Sequence, residues 1–426
     1  MKIRFRKKSQ GEWLVLFVLS MPFLFFVLMG IIGLPSMVKY LVDLGWLALL
    51  VLLLRYGMRS RMKQVRKLLG LIIVFWIYTL IGYILNYQSA LYYLWGLRNN
   101  MRFFVFFFAC VVFLREKSVW DYLRLFDVIF WINLVLALYQ HFVLGYRQDY
   151  LGGVFGTEVG CNGYLNIFMI IVIAKSLLCY LSKEEKFTDF AMKFLSSVII
   201  AALAELKVFF VEIILIFALA ILLTRRTNRK IRIILLIVVG IIVGVQIITV
   251  LFPNFSGWFS VSSILDNLTD KRGYNGKGSV NRLTAIPIVM KKFLPSLGKK
   301  LFGLGLGNCD YAAYSFLQTP FYRANGGLRY QWFSSSMLVL ETGIVGLVMY
   351  ILFFARIYVA VSKREKTGNA DPKLCQLAKI MVVMAFLMLI YNSSLRTEAA
   401  FMMYFVLALP FVRDVPQLKD RIQKEL

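Results

Sequence analysis

Six cations and five carboxylates in this chain are candidates for chemistry at a membrane face. Lys207 interrupts a long apolar run, with Glu205 and Glu212 close by. Arg98 and Arg102 open another apolar run, and Arg282 heads an apolar–basic stretch inside a polar segment. An unpaired charge at membrane depth costs at least ~2.5–3.5 kcal/mol, so such groups face partners or a wet cavity. Fixed Arg and Lys in a low-dielectric pocket stabilise negative charge as it develops on a leaving group. A carboxylate can take the proton of an attacking hydroxyl. Arg282 and Lys207 are therefore candidate catalytic cations. Glu158, Glu341 and Glu398 are candidate bases, although Glu341 could instead pair with an arginine. Arg98, Arg102, Arg323 and Arg329 are candidates for holding an anionic substrate group. The chain has no HExxH, no nucleophile elbow and no Walker loop, and the polar segment carries no DxD-like carboxylate pair. Neither a metal nor a cofactor is expected.

Around these groups lies one long polar segment, residues 252–333, holding ten Lys/Arg against three acids, Asp266, Asp270 and Asp310. Its middle, from Asp270 to Ser279, has the Gly and polar content of a flexible loop. From Asn281 to Leu294 the apolar residues Leu283, Ile286, Met290 and Phe293 share one helical face beside Lys291 and Lys292. This predicts an amphipathic helix lying on a membrane surface and ending at Pro295. Gly303, Gly305 and Gly307 then alternate with leucines. Glycines so placed permit close backbone approach, and free N–H groups there could face an anion. Tyr311, Tyr314, Tyr322, Tyr330 and Trp332 could stack on sugar faces or anchor at an interface. Polar residues also gather from Gly152 to Tyr164 and from Asn392 to Glu398. His141, the only histidine, reads as part of an aromatic interfacial belt.

The elements that must position these residues are membrane helices. The chain is 60% hydrophobic and 17% charged, with mean hydropathy +0.73. Apolar runs of 18 or more residues recur, each long enough to cross a ~30 Å hydrocarbon layer. Such continuous blocks exclude a β-barrel, whose strands alternate over ~10 residues. The fold class is all-α: a polytopic helical membrane protein of about twelve spans with one large external loop. The spans are expected near 13–34, 37–54, 68–86, 98–114, 124–145, 161–181, 191–205, 207–223, 231–251, 334–360, 376–394 and 398–413. The N-terminal run is too long for a signal peptide and lacks a cleavage site, so it reads as a retained first span. Around Glu205 and Lys207 a tight turn or broken helix is expected. Three regions follow: nine helices in 1–251, the loop 252–333, and three helices with a tail in 334–426.

Basic residues favour the cytoplasmic side of short loops. With a cytoplasmic N-terminus, alternate connections hold about thirty of the 49 Lys/Arg, and the short connections opposite hold only Lys39, Arg147 and Arg396. Both termini are then inside and 252–333 is outside. The net charge of +27 is explained by this bias, and no nucleic-acid motif accompanies it. The five cysteines form no CxxC pair. Cys161 and Cys309 would both fall near the outer face, which leaves a bond between them open.

The motif order resembles a known family. Gly-Val-Phe-Gly-Thr157 and Asn162-Gly-Tyr-Leu165 precede one span, and Lys207 interrupts a mid-chain apolar stretch. Arg282 opens a loop helix, Leu-Phe-Gly-Leu-Gly-Leu-Gly-Asn308 follows, and Leu340-Glu-Thr-Gly-Ile-Val-Gly-Leu347 begins the next span. Over residues 95–360 this is similar to the O-antigen ligase/polymerase family of bacterial surface-polysaccharide assembly. The resemblance implies a GT-C-like, metal-independent glycosyltransferase in the bacterial cytoplasmic membrane, active on its outer face. Its donor would be an oligosaccharide on a polyprenyl diphosphate. Implied partners are membrane lipids, a chain-length regulator and a flippase. Lys207 stands where the family usually has arginine, which keeps the cation and loses the guanidinium fork. Trp332-Phe333 stand where ligases carry His-Asn, which favours a Wzy-type polymerase over a ligase. A flippase for the same lipid-linked sugar is the rival from another class, although polar groups concentrated at one face fit it less well.

Overall fold

The computed structural model describes residues 8–56, 62–224 and 278–412, with isolated residues between 229 and 246. The expected ninth span lies mostly outside these residues. So do Asp266, Asp270, most of the Asp270–Ser279 stretch, and the basic clusters at 1–7, 57–61 and 413–426. The described elements are all helical. They are α1 (Gln10–Phe25), α2 (Leu41–Tyr56), α3 (Lys63–Leu85), α4 (Ala90–Phe113), α5 (Glu116–Phe142) and α6 (Cys161–Leu181). Next come α7 (Phe187–Leu203), α8 (Lys207–Leu223), α9 (Ala285–Phe293), α10 (Leu297–Phe302) and α11 (Pro320–Asn325). The chain continues with α12 (Ser334–Lys366), α13 (Pro372–Tyr391) and α14 (Ala400–Ala408). One turn after Pro22, which has no N–H to give, α1 widens into a π turn over Phe26–Ile31.

Among the described residues eight helices are long and apolar enough to cross a membrane. Two further expected spans are the 17-residue α7 and α8. They are separate helices joined by a turn in which Glu205 takes φ +50°, so the charged interruption is a reversal of the chain. The last expected span is shorter than 398–413. Helix α14 and a closing 3-10 turn cover only Ala400–Phe411, about 18 Å at 1.5 Å per residue. Every residue from Ala399 to Val412 is buried, so neighbouring helices and not lipid surround it.

Hydrophobicity on all sides places a helix inside the bundle, and α6 obeys this rule. Its apolar window is 94% buried, against 28% for that of α2. Helices α4, α6, α13 and α14 pack on one another at the centre, while α2, α3 and α5 present an apolar flank outward. The core is dense in aromatics: Phe103, Phe104 and Phe353 meet Tyr404 with ring centroids 5.7, 5.7 and 6.0 Å away.

Residues 278–333 form a cap at one end of the bundle. It has its own small core of Val280, Ala285, Val289, Cys309, Tyr330 and Phe333, closed against Met337 and Leu340 of α12. This corrects the expected surface helix. Helix α9 is present, but Ala285 and Val289 face inward and Phe293 meets Phe321 at 4.9 Å, while Leu283 is exposed. The buried positions recur every four residues along the stripe that packs on α12.

Candidate functional site

Consecutive long helices alternate in direction, so the starts of α2, α4, α6, α8, α12 and α14 gather at the capped end. There a continuous ionic network joins four of them to the cap. Arg98 on α4 grips Asp43 on α2 with Nη2 at 2.7 Å and Nε at 3.1 Å. Its Nη1 donates to Asn99 (2.6 Å), and Asn99 donates to Asp310 in the cap (2.6 Å). Asp310 also takes Nη2 of Arg396 (2.8 Å), and Arg396 lies 3.8 Å from Glu341 on α12. Arg102, one turn beyond Arg98, donates to Glu398 (2.7 Å) and to the carbonyl of Arg396 (3.2 Å). Glu398 accepts a second bond from the Tyr164 hydroxyl of α6 (2.6 Å). Three arginines thus face four carboxylates, which is the pairing that buried charge requires.

Burial alone would push the Glu398 carboxyl up. Arg102 and Arg98, with hydrogen bonds from Tyr164 and Arg102, instead hold it down at about 2. Arg396 is likewise lowered by burial, but Asp310 and Glu341 outweigh that and raise it. Both groups are charged at neutral pH. Arg98 and Arg102 do not open their helix as expected. Helix α4 begins at Ala90, so they stand two to three turns inside it, about 12 and 18 Å from its start. They are engaged by the protein's own carboxylates.

The glycine run and the Glu341-Thr-Gly343 motif prove to be two halves of one joint. Gly343 takes φ +67° and breaks α12. The break removes the helical donors that the carbonyls of Leu340 and Glu341 would use. The N–H groups of Leu304 (2.9 Å) and Gly305 (3.0 Å) replace them. Gly303, Gly305 and Gly307 all have positive φ, and Gly307 lies against Gly96 of α4 so closely that a Cβ on either would strike backbone. The acceptor that the loop N–H groups face is the Glu341 carboxyl itself, reached by Gly307 and by Cys309 (3.3 Å). From the turn after α3, Asn86 and Gln88 hold the carbonyls of Gly303 and Leu306. Glu341 is 1% exposed and accepts from these donors, which clamps the cap to α12.

A second cationic pole lies nearby. Arg282 enters the cap with its guanidinium 4.1 Å from the Tyr391 ring and its Nε donating to the Tyr391 carbonyl (3.2 Å). It stands within electrostatic range of Lys207, as does Glu205. Two cations 75 residues apart in sequence thus fall within electrostatic range of each other. The other expected residues disperse. Glu158 is half exposed and paired with Lys39. Arg323 holds the Ser315 carbonyl (2.6 Å), and Arg329, at φ +59°, lies over Trp332 at 5.2 Å. Tyr330 is buried, its hydroxyl on the Cys309 carbonyl (2.8 Å), and offers no face to a sugar. Cys161 and Cys309 are free thiols, and burial pushes the Cys309 thiol well up. His141 bonds the Tyr146 carbonyl and meets Phe142 edge-to-face. Among the described residues no three His, Cys, Asp or Glu side chains gather as metal ligands.

Asp43, Asn99, Asp310 and Tyr164 were absent from the expected set. For Asp43 a signal existed, an acid inside an apolar span. For Asn99 and Tyr164 there was none, because polar side chains near helix ends are common. Compared with known proteins, the sequence matches no family model and no curated protein.

Proposed function

We propose that the protein is a metal-independent membrane glycosyltransferase that polymerises polyprenyl-diphosphate-linked oligosaccharide repeats at the outer face of the bacterial cytoplasmic membrane. The observation that carries this reading is that Lys207 and Arg282 lie within electrostatic range of each other, with Glu205, at a capped, charge-lined end of the bundle. Two neighbouring cations raise the local potential where a diphosphate would sit. As the bond from the sugar carbon to the diphosphate oxygen breaks, the charge left on that oxygen is stabilised by Lys207 and Arg282. The acceptor hydroxyl forms the new bond to the sugar carbon and passes its proton to a carboxylate. Glu158 is the most exposed of the candidates for that role. Arg102 and Arg396 serve the site indirectly, by tying α4 and α12 to the cap and to the turn before α14. Lys175, Lys193, Arg364, Lys373 and Lys379, at the end away from the cap, support a cytoplasmic orientation for that end and an external cap. A count of twelve spans and the GT-C-like fold belong to the same reading, as does the resemblance of the motifs to the O-antigen polymerases.

A second reading, a transporter of the same lipid-linked sugar, draws on Glu212 and Asn166. They are fully buried between α8 and α6 and bonded at 2.8 Å. Ionisable groups within a bundle often mark transport paths. Purified protein given lipid-linked repeats without an ion gradient separates the two, since a ladder of products requires an enzyme. Arg282→Ala is expected to cut the rate by about 10²–10³, the range for loss of one stabilising donor. Lys207→Arg should retain activity and Lys207→Ala should lose it. Full-length polysaccharide from Arg282→Ala at normal protein level would sink the assignment.

A further inference from the structure

The ionic network is closed on most sides. Arg102, Arg396, Glu341 and Asp310 have side chains 10% exposed or less, while Arg98 and Asp43 are 17% and 16% exposed. The Arg98–Asp43 pair is therefore the network's open edge, and that edge is lined by aromatic rings. The Arg98 guanidinium lies 4.8 Å from the Trp95 ring and 5.2 Å from the Tyr40 ring. Tyr40 stands 6.3 Å from Trp95 and 6.1 Å from Tyr314, whose ring meets the exposed Phe316 at 5.7 Å. The rings come from three places: the start of α2, the start of α4 and the cap. The indole N–H of Trp95 has no hydrogen-bond partner.

We propose that Tyr40, Trp95 and Tyr314 form a subsite for one pyranose ring of the acceptor glycan. A pyranose has apolar C–H faces and an equator of hydroxyls, so it needs flat apolar surfaces beside fixed donors and acceptors. The shelf supplies both. The three rings offer faces to the C–H patches. Asp43 accepts from hydroxyls, and Arg98 and the Trp95 indole donate to them. Burying an unpaired indole N–H has a cost that a sugar hydroxyl would remove. A free anion would be repelled by Asp43, and a purely apolar ligand would leave the Trp95 indole N–H unsatisfied.

This inference rests on the glycosyltransferase reading but fails separately from it. The probe is a set of three- to six-sugar fragments released from the surface polysaccharide of the producing cells, free of lipid. Binding to full-length protein in nanodiscs is followed by calorimetry. Trp95→Ala and Tyr314→Ala should each weaken binding about tenfold, equivalent to about 1.4 kcal/mol. Trp95→Phe should lose only about half that factor on a logarithmic scale, because the ring remains and the N–H does not. In the polymerisation assay the alanine variants should raise the acceptor KM and leave kcat within about twofold. Equal binding by wild type and both alanine variants, at unchanged melting temperature, overturns the subsite even if wild type polymerises. Fragment binding lost in Trp95→Ala by a wild type that makes no polymer supports the subsite and removes the polymerase reading. Strong quenching of Trp95 by brominated phospholipids, unrelieved by the fragments, would make the shelf a lipid-headgroup anchor and overturn the proposal.

Discussion

Removing the charge of Glu398 tests whether the network holds the capped end together. Glu398→Gln keeps the size and one acceptor but leaves Arg102, 2% exposed, beside a neutral amide. Asp43 is 4.0 Å away and is held at closer range by Arg98, so it compensates poorly. Breaking one partner of a buried pair costs about 3–5 kcal/mol. Linkage gives a second figure. A carboxyl held at about 2 in the fold, against an ordinary 4.5, contributes about 3 kcal/mol at neutral pH. The two agree in scale. The sign follows from the lowered value: the contribution is complete above about 4.5 and is lost as pH falls through about 2. Thermal melts in detergent should therefore show Glu398→Gln well below wild type at pH 7 and closer to it at pH 3. Arg102→Met should be similarly damaged at pH 7. The double variant should be less damaged than the two losses summed, since neither charge is then stranded. Melting of Glu398→Gln within a degree of wild type at pH 7, or strict additivity in the double variant, would refute the reasoning.

Two further predictions concern the joint between the cap and α12. Gly307→Ala places a Cβ against the Tyr92 carbonyl and Gly96 at φ +81°, and should cost about 2 kcal/mol or more. Gly327→Ala, which meets nothing within 4 Å, should stay within about 0.5 kcal/mol, and expression with melting temperature checks both. Glu341→Ala strands the Cys309 N–H and weakens the hold on Arg396, at about 1–3 kcal/mol for the orphaned donor. Glu341→Gln keeps the acceptor and should lose less, so limited proteolysis within 278–333 should be faster in the alanine variant than in the glutamine one.

The membrane class and the helix positions were legible because they rest on the cost of burying backbone and apolar surface, which local sequence reports directly. The break at Glu205-Leu206-Lys207 was legible for the same reason. The failures share one cause. Arg98 and Arg102 read as an open anion site because sequence shows a charge without its partner. Their partners, Asp43 and Glu398, lie 55 and 296 residues away. Gly-Leu-Gly and Glu-Thr-Gly read as separate motifs because the break at Gly343 and its repair by Leu304 and Gly305 exist only once they dock. The face of α9 was misjudged because its polar neighbours suggested a membrane surface where the cap supplies an apolar one.

By itself, then, the sequence determined that this chain is a bundle of apolar helices with its charges crowded at their ends, since hydration energy acts residue by residue. Only the tertiary structure decided which charges neutralise one another, and that Lys207 and Arg282 come within electrostatic range of each other. Coulombic pairing depends on separations of a few ångströms between groups that the chain keeps tens to hundreds of residues apart.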